Sequence, residues 1–387
     1  MWRGRSAFWE IAAYDEGVGS IGRVLLAAVL GLSCRRSEKT SPSIVKDDAT
    51  QAPRPDCPAG CSSGFCWEGF AEHRLEARSF VQPAFAGHWL LWADSTGLRA
   101  RHVRTGENRT LATGFVGSIA AKGDVATWQS KDKLQRVFPI TGTPIALRSS
   151  FCTGDHRLRH LRVVGNAVLT NCDTISSSPS GFITDVAHGF ELVDEKGLVR
   201  PLGVFHRDVN HGQVVVAGLV LDGNAIVFNA GSQIVRRPLD DFQASADVVV
   251  HDFDDGFVLD LALLDHFLVA DYHAHAPESR CEGQPHRLYA LSRDAPEAGT
   301  RVPVDLGSVR IGYNGLVANK SHILATSDDK LFVAAPPRPL REVALSLAPH
   351  DVAPSSQRSL HAAVSDCGTV ALVDGDHHML VHGVENW

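Results

Sequence analysis

What this chain of 387 residues lacks narrows its function first. No apolar run is long enough to cross a bilayer as a helix: the one between Arg23 and Ser33, Val24 to Leu32, has nine residues. There is no massed block of basic residues either. The formal net charge is −7 with Lys and Arg spread along the chain, which excludes the electrostatic footprint of a nucleic-acid binder. Missing too are the Gly-x-Ser-x-Gly elbow of serine hydrolases, a glycine loop that cradles phosphate, and the His-Glu-x-x-His helix of zinc peptidases. Cysteine is sparse, with eight in the chain, and whether those are thiols or bridges depends on whether the protein is exported.

What is present is a chain 44% apolar, 7% aromatic and 21% charged, ordinary values for a protein that buries a sizeable core. Near its start a basic residue (Arg23), the short apolar run and Ser33 stand directly before Cys34. That arrangement resembles the signal of bacterial lipoproteins. The resemblance implies export, lipidation of Cys34, and Cys34 as the mature N-terminus held at the membrane by acyl chains. Glu10, Asp15 and Glu16 suit no signal, whereas a start at Val18 leaves a compact one. A plain cleaved export signal and a buried amphipathic helix are the alternatives.

Residues 1–33 are therefore expected to be an export segment and residues 34–56, rich in Ser, Thr, Pro, Lys and Asp, a solvated tether. Residues 57–70 form a cysteine-rich segment holding Cys57, Cys61 and Cys66. Three thiols make an incomplete zinc set, and an oxidising compartment favours disulfides.

From residue 71 to 387 the dominant signal is self-similarity. Seven short apolar runs recur at a spacing of about 47 residues: GHWLLWAD from Gly87, GDVATWQS from Gly123, GNAVLTNC from Gly165, GNAIVFNA from Gly223, DHFLVADY from Asp265, SHILATSD from Ser321 and GTVALVDG from Gly368. Most follow another apolar stretch (VGSIAA from Val116, VVVAGLVL from Val214) and precede an alternating one (GLRARHV from Gly97, HRLYALS from His286). Gly, Asn and Asp between them supply hairpin turns. Strand, turn, strand, turn, strand at this period predicts an all-β propeller of seven four-stranded blades. A pair of β-sandwiches is the rival. The last unit ends one strand short, and EHRLEARSF from Glu72 alternates suitably to supply that outer strand and latch the ring. The repeated Asp-box turns of sialidase-like propellers are absent.

Asp94, Asn171, Asp173, Asn229, Asp271, Asp328 and Asp374 end the second strands, where their side chains are expected to bond turn backbone. Asp and His crowd three places: HDFDDG (Asp252, Asp254, Asp255), ADYHAHAP (Asp271, His273, His275) and DGDHH (Asp374, Asp376, His377, His378). Imidazoles alternating in an extended segment share a side, and with carboxylates they suit a divalent transition metal. Asp252, Asp254, Asp271, His273, His275 and His377 are the candidate ligands, against the plainer reading of exposed loop residues. HDFDDG is half of a calcium loop without its distal acid.

Cys152, entering the third unit, and Cys172, ending that unit's second strand, reach one face and are expected to form a disulfide. Cys281 and Cys367 fall in turns on opposite faces and should not pair with each other. One of them, with Cys281 favoured, is expected to bridge to Cys57, Cys61 or Cys66. The functional expectation is a monomeric, non-catalytic binding or scaffolding propeller at the cell envelope, binding a protein, glycan or small ligand and not nucleic acid. A metal-assisted hydrolase or lactonase is the alternative.

Overall fold

A computed structural model describes residues 70–73, 81–131, 133–147, 157–164, 167–177, 183–194, 196–208, 218–240, 242, 248–253, 256–274, 286–294, 302–309, 316–327, 330–343, 360–373 and 379–382. The chain divides into two compact units, 1–49 and 50–387, and every described residue belongs to the second. Among the described residues, no helix is long and apolar enough to cross a membrane.

The described residues form an all-β propeller of seven four-stranded antiparallel sheets. Blade 1 holds β2 (Ala84–Ala86), β3 (Trp89–Ala93), β4 (Gly97–His102) and β5 (Asn108–Thr113); blade 2 holds β6 (Ile119–Lys122), β7 (Val125–Ser130), β8 (Lys133–Val137) and β9 (Ile145–Leu147). Blade 3 holds β10 (Arg157–Val164), β11 (Ala167–Ser177), β12 (Ile183–Val193) and β13 (Val199–Asp208); blade 4 holds β14 (Leu219–Asp222), β15 (Ala225–Ala230), β16 (Gln233–Pro238) and β17 (Val248–Asp252). Blade 5 holds β18 (Phe257–Leu263), β19 (Phe267–His273), β20 (His286–Ser292) and β21 (Val304–Val309); blade 6 holds β22 (Leu316–Ala318), β23 (Ile323–Ser327), β24 (Lys330–Ala334) and β25 (Arg341–Val343). Blade 7 takes β26 (His361–Val364), β27 (Val370–Val373) and β28 (Met379–His382) from the end of the chain, and its outer strand, β1 (Phe70–His73), from the start. The latch thus exists but begins at Phe70, before the Glu72 start read from sequence. β28 offers only four residues, and Phe70 to His73 take all four.

The second strands read as unbroken apolar runs because both their faces are buried. In β3, Trp89, Leu91 and Ala93 pack against Ala126, Trp128 and Val137 of blade 2, while Leu90 and Trp92 pack against Ala371 and Val373 of blade 7. β15 divides the same way, with Ile226 and Phe228 toward Leu169 and Phe190 of blade 3, and Val227 toward Val258 and Leu268 of blade 5. Seven such apolar clusters, one between each neighbouring pair of blades, carry the core around the ring, and the cluster joining blade 7 to blade 1 closes it. Gly87 and Gly123 open two-residue turns between first and second strands with φ of 56° and 54°, a conformation L side chains rarely adopt.

Polar ties cross the seams as well. Asn229 is buried; its Oδ1 accepts from the Gly218 amide at 2.9 Å and its Nδ2 donates to the Val258 carbonyl of blade 5 at 2.8 Å. The sequence expectation of turn bonding fails here and at Asn171, which is buried and donates to the Gly189 carbonyl at 3.4 Å. It holds at Asp94, whose Oδ1 accepts from the Thr96 and Gly97 amides at 2.7 and 2.8 Å.

Candidate functional site

The first strands of all seven blades line a central channel of about 360 Å³. Lys122 and Arg162 are the charged residues that line it, and Asp260 directly precedes the lining residues Leu261 to Leu263. Arg162 of β10 donates to the Leu219 carbonyl of blade 4 at 3.1 Å, and Asp260 of β18 accepts from the Leu316 amide of blade 6 and from its own neighbour Leu261, both at 2.8 Å. Both are half-buried. Burial pushes the Asp260 carboxyl up to about 6, against the pull of the Arg162 guanidinium and the two amides. These bonds use the two groups to join blades 3 to 4 and 5 to 6.

A second constellation sits where β19 ends and β20 begins, on the face carrying the turns between second and third strands. Asp271 is 3% exposed, and its carboxylate receives His286 Nδ1 at 3.1 and 3.3 Å. Burial works against the charged imidazole of His286, but Asp271 outweighs it and holds the pKa above the ordinary histidine value. The His273 ring lies 5.2 Å from that of His286 at 70°. Register explains the meeting: Tyr272 pairs with Arg287 and Asp271 with Leu288, so Asp271, His273, His286 and Leu288 share the face of the sheet toward blade 6.

The opposite face of the same sheet, toward blade 4, carries Tyr272, Arg287 and Tyr289. Phe253, in the connection leaving β17, stacks on Tyr272 at 4.7 Å and lies 5.3 Å from Tyr289. His251 meets the edge of Phe253 at 4.5 Å. Phe253, Tyr289 and His251 are half-buried and Arg287 is exposed, its guanidinium 3.4 Å from Asp305. Gly256 makes this packing possible. It has φ of 92°, and a Cβ there would lie 2.1 Å from the His273 carbonyl oxygen and 2.8 Å from the Tyr272 hydroxyl.

Of the six candidate metal ligands, Asp254, His275 and His377 lie outside the described residues, as do Cys34 and Cys152. Asp271 and His273 come together, with Asp271 engaged by His286. Asp252 ends β17 in blade 4, accepting from Ser232 Oγ at 3.1 Å and Gln233 Nε2 at 2.6 Å. Among the described residues, no group of three or more His, Cys, Asp or Glu side chains is placed to hold a metal ion. Cys172, buried in β11, and Cys367 are both disulfide-bonded. Sequence reasoning missed His286 and the aromatic group. The signal for His286 was its position opposite His273 across the β19–β20 hairpin.

No protein-family model matches the chain, and no curated protein matches it. Similar solved structures exist at low identity. A chain of the mitotic checkpoint complex matches with a TM-score of 0.51 and 12% identity, covering 92% of this chain and 99% of that one. The WD40 domain of Neurospora crassa Pan2 matches with a TM-score of 0.48 and 13% identity over 81% of this chain and 90% of that one. YCF48, solved bound to the D1 peptide, matches at 0.49 and 11% over 82% and 98%. Identity this low speaks for the fold alone. The chain is a β-propeller.

Proposed function

We propose that this protein is an exported, lipid-tethered binding propeller of the bacterial envelope, which holds a partner protein where blades 4 and 5 meet, on the face at which β19 ends and β20 begins, without catalysing a reaction. The observation that carries the reading is the group formed by His251, Phe253, Tyr272, Tyr289 and Arg287. It is drawn from three strands and one connection of two blades, and several members are half-exposed rather than part of the core. Aromatic rings and arginine around a partly desolvated patch are the composition of protein-binding hot spots. Support for the tether is the sequence from Arg23 through Val24–Leu32 and Ser33 to Cys34.

A photoreactive amino acid placed at position 289 in cells tests the binding face, with position 124, an exposed turn residue on the opposite face, as control. A protein adduct is expected from 289 and not from 124. Equal adducts from both positions, or none from 289, would refute the assignment.

A further inference from the structure

We propose that Cys367 is joined by a disulfide to Cys57, Cys61 or Cys66, so that the segment before β1 is covalently clasped to the blade that β1 completes. Cys367 lies in the turn between β26 and β27 and is disulfide-bonded. β28 pairs antiparallel with both β27 and β1, so β1 runs parallel to β27 and starts at the same face. Phe70, His382 and Val370 form one row of the sheet. Two strand spacings, about 10 Å, separate Phe70 from Val370. Cys66 precedes Phe70 by four residues and Cys367 precedes Val370 by three. Four residues span up to about 13 Å, enough to bring the two Cα atoms within the roughly 4.4–6.8 Å that a disulfide needs. Cys61 and Cys57 have longer reach.

The other cysteines are excluded by position. Cys281 is five residues from His286 and can stray at most about 17 Å from it. His286 stands at the opposite face, because β20 has seven residues and rises about 20 Å before reaching the face of the turn that holds Cys367, two blades away. Cys152 precedes Arg157 by five residues, and Arg157 and Leu158 pair with Asp173 and Cys172 in blade 3. Five residues reach at most about 17 Å, which lets Cys152 meet Cys172 at that end of the hairpin, and the proposal assigns those two to each other. Excluding Cys34 rests on the lipidation reading above, in which its sulfur carries an acyl chain.

Bond formation removes two protons and two electrons from the two thiols. The acceptor is a disulfide-carrying oxidase, whose own disulfide becomes a dithiol. The clasp matters because the ring is otherwise closed through a strand of only four residues.

The test uses the full chain, isolated without reductant, alkylated and digested. A peptide containing Cys367 is expected linked to one containing Cys57, Cys61 or Cys66. An alkylated Cys367, or a link to Cys152, Cys172 or Cys281, overturns the proposal. A link to Cys34 overturns it together with the lipidation reading, whereas an unlipidated Cys34 with the expected link overturns only the latter. Cys367→Ser should unfold about 5 °C or more below the parent without reductant, and the gap should close when both are reduced. A gap that persists in reductant would mean that the serine itself, and not the lost clasp, lowers the midpoint. If the variant does not fold, the linked peptide of the parent decides alone.

Discussion

Replacing Asp260 by Asn tests whether the channel wall holds a carboxylate against its preference. Burial raises this group to about 6 in the folded protein, whereas an unfolded aspartate titrates near 3.9. The folded state therefore binds the proton more tightly. The stability this contributes is fully present below about pH 3.9 and is lost as pH rises through about 6. A difference of roughly two pKa units corresponds to about 3 kcal/mol, an order-of-magnitude figure for a buried group that also faces Arg162. The Leu261 and Leu316 amides bond different oxygens of the carboxylate, so asparagine keeps an acceptor for only one of them, a loss that does not vary with pH, and it carries no titrating proton. Urea unfolding of parent and variant from pH 7.5 to 4 should show the parent gaining relative to Asp260→Asn by about 2–3 kcal/mol as pH falls. The changes common to both proteins cancel in the difference. A difference that stays flat across that range would refute the picture of a desolvated carboxylate in the channel wall.

His322 has the opposite sign. Burial, then the Arg341 and Arg338 charges, lower it to about 4, so the stability it contributes is present above its unfolded value and is lost as pH falls from about 6.5 through about 4. Thermal melts of His322→Gln should lose less stability than the parent over that window. Gly256→Ala should cost about 2–4 kcal/mol by denaturant unfolding, because the methyl meets backbone at φ of 92°. It should also reduce adduct formation from position 289, and a variant as stable as the parent would contradict the packing described. Mass spectrometry of the mature N-terminus should find a diacylglyceryl-modified Cys34; an unmodified terminus at another residue would end the lipoprotein reading.

The sequence revealed the propeller through its second strands. GHWLLWAD, GNAIVFNA and GTVALVDG became β3, β15 and β27, and they were visible because burial on both faces leaves no polar alternation to blur them. Outer strands were harder. β5 reads NRTLAT and β25 is three residues long, and such edge segments are polar or short because one side meets water. Blade 3 was only half legible, since β11 and β12 are 11 residues each, longer than any period taken from the other units would suggest. The site was legible where its residues are neighbours in sequence, as with Asp271 and His273. It was hidden where the contact crosses strands. Phe253 meets Tyr289 only because blade 4 stacks on blade 5, and Arg162 acts on Asp260 only because the ring brings the first strands of blades 3 and 5 to a common centre.

The most direct test of the binding face is amide hydrogen exchange of the purified chain alone and after incubation with solubilised envelope. Exchange should slow at residues 251–253, 272–274 and 286–289, with no change in the turns at 87–88, 123–124 and 223–224 on the opposite face. Slowing confined to those turns, or slowing in neither region, would contradict it.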